Sequence, residues 1–101
     1  MIIERNEFRL KFGQAKEAIA IWKEILEESK KIPGVPEMRL LSDLSGPAYT
    51  LIVELHLKSF SDINMKNAVW DTTDKFRDLY QKFIPYCESA NREFYKIEGM
   101  I

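Results

Sequence analysis

From Ser45 to Leu57 the chain reads Ser-Gly-Pro-Ala-Tyr-Thr-Leu-Ile-Val-Glu-Leu-His-Leu, a turn signal followed by an accumulation of β-branched and aromatic residues. Alternation along such a strand puts Tyr49, Leu51, Val53, Leu55 and Leu57 on one side of the pleat and Thr50, Ile52, Glu54 and His56 on the other. The first face demands a hydrophobic cover. The second mixes aliphatic and ionisable groups, a pattern suited to a polar cavity or a subunit interface.

The remaining elements follow from the same two periodicities. Residues 2–12 alternate, with Asn6, Phe8, Leu10 and Phe12 on one face and Arg5, Glu7, Arg9 and Lys11 on the other, which predicts a first strand buried on one side. After Gly13, the three-and-four spacing of Ala15, Ala18, Ile19, Trp22, Ile25 and Leu26 predicts a helix with a single apolar stripe, with Glu27 and Lys31 placed to pair along its polar side. Pro33-Gly34-Val35-Pro36 ends it, and a second strand is expected over 37–44. Ser59 with Asp62 marks a helix start near Phe60. The apolar period runs through Ile63, Ala68, Val69 and Trp70, and a bend or break is expected at Asp71-Thr72-Thr73-Asp74, where short polar side chains favour a new cap. Phe76, Leu79, Tyr80 and Phe83 resume the stripe until Pro85, and a last strand carrying Phe94, Tyr95 and Ile97 is expected over 92–97.

Strand, helix, strand, strand, helix, strand is the order of a ferredoxin-like βαββαβ unit, an α+β fold. Right-handed crossovers interleave the two halves most simply as a four-stranded antiparallel sheet ordered 4-1-3-2 with both helices on one face. At 101 residues the chain is expected to form one domain, 1–101, with two helices and therefore a second sheet face left uncovered. Ile3, Leu41 and Ile52 are expected on that face with Arg5, Glu7, Arg39, Glu54 and His56. So many aliphatics are unusual on a solvated face, and so many charges are unusual in a dry core. Two copies packed face to face around a wet cavity satisfy both constraints, so a homodimer is expected.

Composition narrows the function classes. Fifteen Lys and Arg are balanced by sixteen Asp and Glu, so the chain lacks the basic footprint of a nucleic-acid binder. Its apolar runs are too short to span a membrane, Glu4 and Arg5 interrupt any secretory leader, and cytoplasmic residence is the expectation. The single Cys87 fits a reducing compartment and reads as a small, partly buried residue rather than a nucleophile. One histidine, one cysteine and scattered carboxylates form no metal-ligand spacing, and four isolated glycines form no phosphate loop, so neither metal nor cofactor is expected.

The candidate cavity-lining residues are Arg5, Arg39, Glu54 and His56. Histidine is the side chain whose unperturbed pKa lies near neutrality, and His56 shares a strand face with Glu54, the raw material of an acid–base pair. Arg5 and Arg39 could hold a carboxylate or enolate, or simply neutralise Glu7 and Glu54 across strands.

The segment 4–13, the Trp22 helix, Met38-Arg39-Leu40-Leu41-Ser42-Asp43-Leu44-Ser45-Gly46-Pro47, the Glu54 strand, Ser59-Phe60-Ser61-Asp62, Lys82-Phe83-Ile84-Pro85 and Arg92-Glu93-Phe94-Tyr95 together resemble a small NIPSNAP-like protein. That family lies in the dimeric α/β-barrel superfamily, which also holds antibiotic-biosynthesis-monooxygenase-like proteins. The resemblance spans nearly the whole chain and implies a ferredoxin-like protomer in a dimer with facing sheets. Haem-degrading members of the superfamily use an asparagine on the first strand and a tryptophan and a histidine on the second helix. Asn6 and Trp70 match the first two, but the second helix has no histidine, so an axial ligand is missing and haem is not expected. Two functions follow: a dimer that binds a small organic ligand between its facing sheets, or a cofactor-free monooxygenase or isomerase in which His56 or Glu54 takes the proton.

Overall fold

The computed structural model describes residues 1–62 and 74–101. Its strands are β1 (Ile2–Leu10), β2 (Glu37–Ser42), β3 (Thr50–Leu57) and β4 (Cys87–Lys96), and its helices are α1 (Ala15–Ser29) and α2 (Asp74–Phe83), with a short 3-10 turn, Ile84–Tyr86, leading into β4. The strands form one antiparallel sheet ordered β2-β3-β1-β4, the ferredoxin-like arrangement expected from the element order.

One face of the sheet carries the core. Phe8 and Leu10 of β1 and Leu51, Val53, Leu55 and Leu57 of β3 are buried with Ala18, Trp22 and Ile25 of α1 and Phe76, Leu79 and Phe83 of α2. The aromatic residues join the layers: the Phe83 ring stands edge-on to Phe8 at 4.9 Å and to Trp22 at 5.5 Å. This is the apolar face of β3 expected from its alternation, meeting the stripes expected on both helices.

Four boundaries differ from the sequence reading, each for a local reason. β1 ends at Leu10, and Phe12 is exposed with its ring 5.2 Å from that of Tyr49. There Lys11 donates its N–H to the Tyr86 carbonyl and Gly13 takes a φ of +78°, which turns the chain towards α1 before the alternation can bury Phe12. β2 stops at Ser42 because the Asp43 carboxylate accepts the Thr50 N–H at 3.0 Å, closing a loop that leaves Leu44 in solvent. Tyr49 lies outside β3 with a φ of +61°. β4 begins at Cys87, five residues before the start expected at 92, since pairing with β1 continues from Ile2↔Lys96 to Leu10↔Cys87 regardless of the polar residues it passes through. A register shift between Arg9 and Leu10 absorbs the mismatch.

α1 ends at Ser29, so Lys31 pairs with Glu28 at 3.1 Å and Lys30 with Glu27 at 2.9 Å rather than Lys31 with Glu27. The Asp62 carboxylate accepts the Lys58 and Ser59 N–H groups, the reciprocal half of the expected cap. Ile63, Ala68, Val69, Trp70 and most of the expected break lie outside the described residues; α2 starts at Asp74, the last residue of that polar run.

The packing predicts a contrast between two phenylalanines. Phe83→Ala opens a cavity at the centre of the aromatic cluster and should cost about 3–5 kcal/mol in urea unfolding, whereas Phe12→Ala should change stability by about 0.5 kcal/mol or less. Equal losses would contradict this placement of the core.

Candidate functional site

Register and alternation put the four candidate residues on the face opposite the helices. Arg39 of β2, Glu54 of β3, Arg5 of β1 and Glu93 of β4 stand in one row across the sheet, each directly opposite the next. Glu37, His56, Ile3 and Tyr95 form the neighbouring row on one side, and Leu41, Ile52, Glu7 and Asn91 the row on the other.

Within the central row the groups are unequally engaged. Arg39 donates to Glu54 at 2.6 Å, and this bond with the carboxylate's charge holds the guanidinium pKa above its ordinary value. Glu54 is only 8% exposed although α1 and α2 lie on the other side of the sheet. The Arg5 guanidinium, between Glu54 and Glu93 in register, makes no hydrogen bond or ion pair among the described residues. Glu93 accepts from Asn91 at 3.0 Å and from the Tyr95 hydroxyl, and the latter bond raises the tyrosine pKa. The Nε2 atom of His56 lies 3.9 Å from the Glu54 carboxylate and is buried without a hydrogen bond among the described residues. The structure thus gathers Arg39, Glu54 and His56, while Arg5 stands beside them unengaged.

A second site lies on the helix side of the sheet. A cavity of about 400 Å³ opens between the sheet, α1 and α2, with apolar walls from Phe8, Ile25, Val53, Leu55 and Ile84. Its polar part is a chain of hydrogen bonds on the sheet: Arg92 Nε donates to Asn6 Oδ1 at 3.0 Å, and Asn6 Nδ2 donates to Glu4 Oε2 at 2.9 Å. Glu4 is 1% exposed. Trp22 also lines this cavity, and its indole Nε1 is buried with no hydrogen-bond partner among the described residues. Tyr80 stands at the same opening, its hydroxyl kept protonated to higher pH by burial.

Sequence reasoning had placed Asn6 beside Phe8 but overlooked Glu4, which has the same parity on β1 and must therefore face the helices. That parity was the available signal. Arg92 had none, since its place opposite Asn6 depends on a pairing that begins before any β-forming run. Trp70 lies outside the described residues. Among those residues no group of three or more His, Cys, Asp and Glu comes together as a metal site, and no helix is long and apolar enough to cross a membrane.

No protein-family model matches the chain, and no curated protein matches its sequence. Solved structures do match its fold. A NIPSNAP domain protein from Burkholderia xenovorans superposes with a TM-score of 0.82 over 100% of this chain and 98% of that one, at 14% identity. The chain shares the NIPSNAP fold. A NIPSNAP family protein from Agrobacterium tumefaciens gives 0.81 at 16% identity, covering 94% of this chain and 90% of that one. An antibiotic biosynthesis monooxygenase gives 0.76 at 12% identity, covering 98% and 100%. At these identities the likeness establishes architecture, and chemistry must be argued from the residues present.

Cys87 offers little of that chemistry. It is half-buried at the start of β4, and burial pushes its thiol from 9.0 up to about 11. The folded state holds the proton more tightly, so the associated stability is full below pH 9 and is lost as pH rises towards about 11. Native protein at pH 8 should therefore be alkylated by iodoacetamide about a hundredfold more slowly than the urea-unfolded chain, through its smaller thiolate fraction. Equal rates would show the thiol to be unshielded.

Proposed function

We propose that the protein is a non-catalytic homodimer that binds a small organic ligand, with the two sheets closing against each other and one ligand held between sheet and helices in each copy. The helix-side cavity carries this reading. Its volume of about 400 Å³ lies within the range of small-molecule sites, its walls are apolar, and its polar groups converge on one region of β1. Such walls favour an aromatic or alicyclic body. The buried Trp22 N–H favours a carbonyl or ether oxygen on it, since an unpaired donor costs about 1–3 kcal/mol.

The uncovered face supports the dimer, because Ile3, Leu41 and Ile52 share it with Arg5, Arg39, Glu54 and His56. Closing that face withdraws its aliphatics from water. In this arrangement the four polar residues line the space between the sheets. A cytoplasmic setting fits the single shielded cysteine.

A second reading is a cofactor-free monooxygenase or isomerase, favoured by the unpartnered His56 Nε2 beside Glu54. Here a substrate between the sheets would give its proton to His56. The Glu54 carboxylate is less available to a substrate, as it is already bonded to Arg39. Turnover that survives His56→Ala combined with Glu54→Gln would eliminate this assignment.

Static light scattering at micromolar concentration should give about twice the 11.9 kDa chain mass. A thermal-shift screen of aromatic ketones, quinones and aromatic acids should find a ligand that raises Tm by a few degrees, since ligand at ten times its Kd adds about 1.4 kcal/mol. Trp22→Phe keeps the aromatic packing but removes the N–H donor, and should weaken carbonyl ligands about tenfold while sparing their hydrocarbon analogues. A panel that leaves Tm unmoved would sink the ligand reading.

A further inference from the structure

The central row of the uncovered face has a charge order that only some dimers can use. From β2 to β4 it runs Arg39, Glu54, Arg5, Glu93, plus-minus-plus-minus in direct register. This order is antisymmetric: read backwards, every sign is reversed. Adjacent strands lie about 4.8 Å apart, so about a point midway between β3 and β1 the inner pair sits at about 2.4 Å and the outer pair at about 7 Å.

Two aligned sheets packed face to face by a two-fold axis have two choices for its direction. An axis running across the strands sets each residue of the row opposite its own copy, arginine on arginine and glutamate on glutamate. An axis running along the strands reverses the row, so Arg5 meets Glu54 of the other copy and Arg39 meets Glu93. Packing permits both. Charge decides between them, because like charges held together in a closing interface are strongly disfavoured.

Resting on the homodimer reading above, the geometry points to an ionic code for self-association: the two-fold runs along the strands, and each copy's Arg39-Glu54-Arg5-Glu93 row is neutralised by the reversed row of the other. The state of Arg5 supports this. It is the one arginine of the row without a hydrogen bond or ion pair among the described residues, although Glu54 and Glu93 flank it in register. Glu54 is engaged from the Arg39 side and, in the reversed row, receives the second copy's Arg5. In the flanking rows the same reversal sets Glu37 against Tyr95 and His56 against Ile3 on one side, and Leu41 against Asn91 and Ile52 against Glu7 on the other, so the preference rests on the central row.

The test is a charge exchange between the ends of the row, read as the dimer dissociation constant by analytical ultracentrifugation, with circular dichroism confirming that each variant is folded. Arg39→Glu alone places like charges at both ends of the interface, as does Glu93→Arg alone, and each should weaken dimerisation about tenfold or more. The double variant R39E/E93R restores opposite charges only when residue 39 of one copy faces residue 93 of the other, and should return to within about threefold of the parent. Like-charge neighbours created inside each chain are present in monomer and dimer alike, so they do not imitate this rescue. A parent chain that sediments at 11.9 kDa removes the dimer itself. A dimeric parent with no rescue in the double variant, or with no loss in the single ones, leaves the dimer standing and overturns the proposed two-fold.

Discussion

Among the described residues, two helices stand against a sheet with two faces, and this shortage of cover governs the rest of the structure. The helices are committed to the apolar face by burial: Trp22, Ile25, Phe76, Leu79 and Phe83 lock onto Phe8, Leu51, Val53 and Leu55. Each large side chain moved from water into such a core contributes about 1.5–3 kcal/mol. No comparable gain is available on the opposite face, where each aliphatic has charged neighbours. The same shortage explains why ionisable residues accumulate there: on a face that must tolerate water as a monomer, Arg39 and Glu54 can stay paired at 2.6 Å without a buried, unbalanced charge.

How much of this was legible depends on which physical signal each residue carries. The period of two in β3 and the period near four in α1 and α2 are imposed by burial on one side, so element order, sheet order and the helix-facing set could be read directly. Phe12 shows where the signal fails. Its parity belongs to the core face, but a turn at Gly13 and a hydrogen bond from Lys11 to the sequence-distant Tyr86 decide its fate. Residues 87–91 fail in the other direction, having no β-forming character and becoming strand because β1 offers them a partner. The four residues of the mixed face were placed by parity and did come to share one face. The cavity on the other side was missed because attention went to ionisable groups where the pattern is mixed, not to the carboxylate hidden in the apolar row of β1.

β1 therefore serves both faces at once. Its even residues, Glu4, Asn6 and Phe8, border the helix-side cavity, and its odd residues, Ile3, Arg5 and Glu7, belong to the opposite face. Successive side chains of a strand point to opposite sides, so any shift of β1 along β3 moves both sets together. In the proposed dimer, an interface that fixes Arg5 also fixes the neighbours that carry Glu4 and Asn6. Pairing with β3 on one side and β4 on the other holds β1 from Ile2 to Arg9.

Glu4 is the residue that stability alone does not account for. Flanked on its face by Ile2 and Asn6, and 1% exposed, it takes a carboxylate out of water at a cost that a leucine in the same place would avoid. Asn6 partly offsets that cost with its amide N–H and passes the link to Arg92 through its oxygen, a neutral bridge between an anion and a cation. An arginine in the place of Asn6 would bond the carboxylate directly, and an apolar residue would remove this link to Arg92. The asparagine instead keeps positive charge at the cavity edge and negative charge at its base, so a molecule entering between the helices and the sheet meets an oriented dipole within apolar walls. Orientation of that kind separates a selective pocket from a packing defect of equal volume.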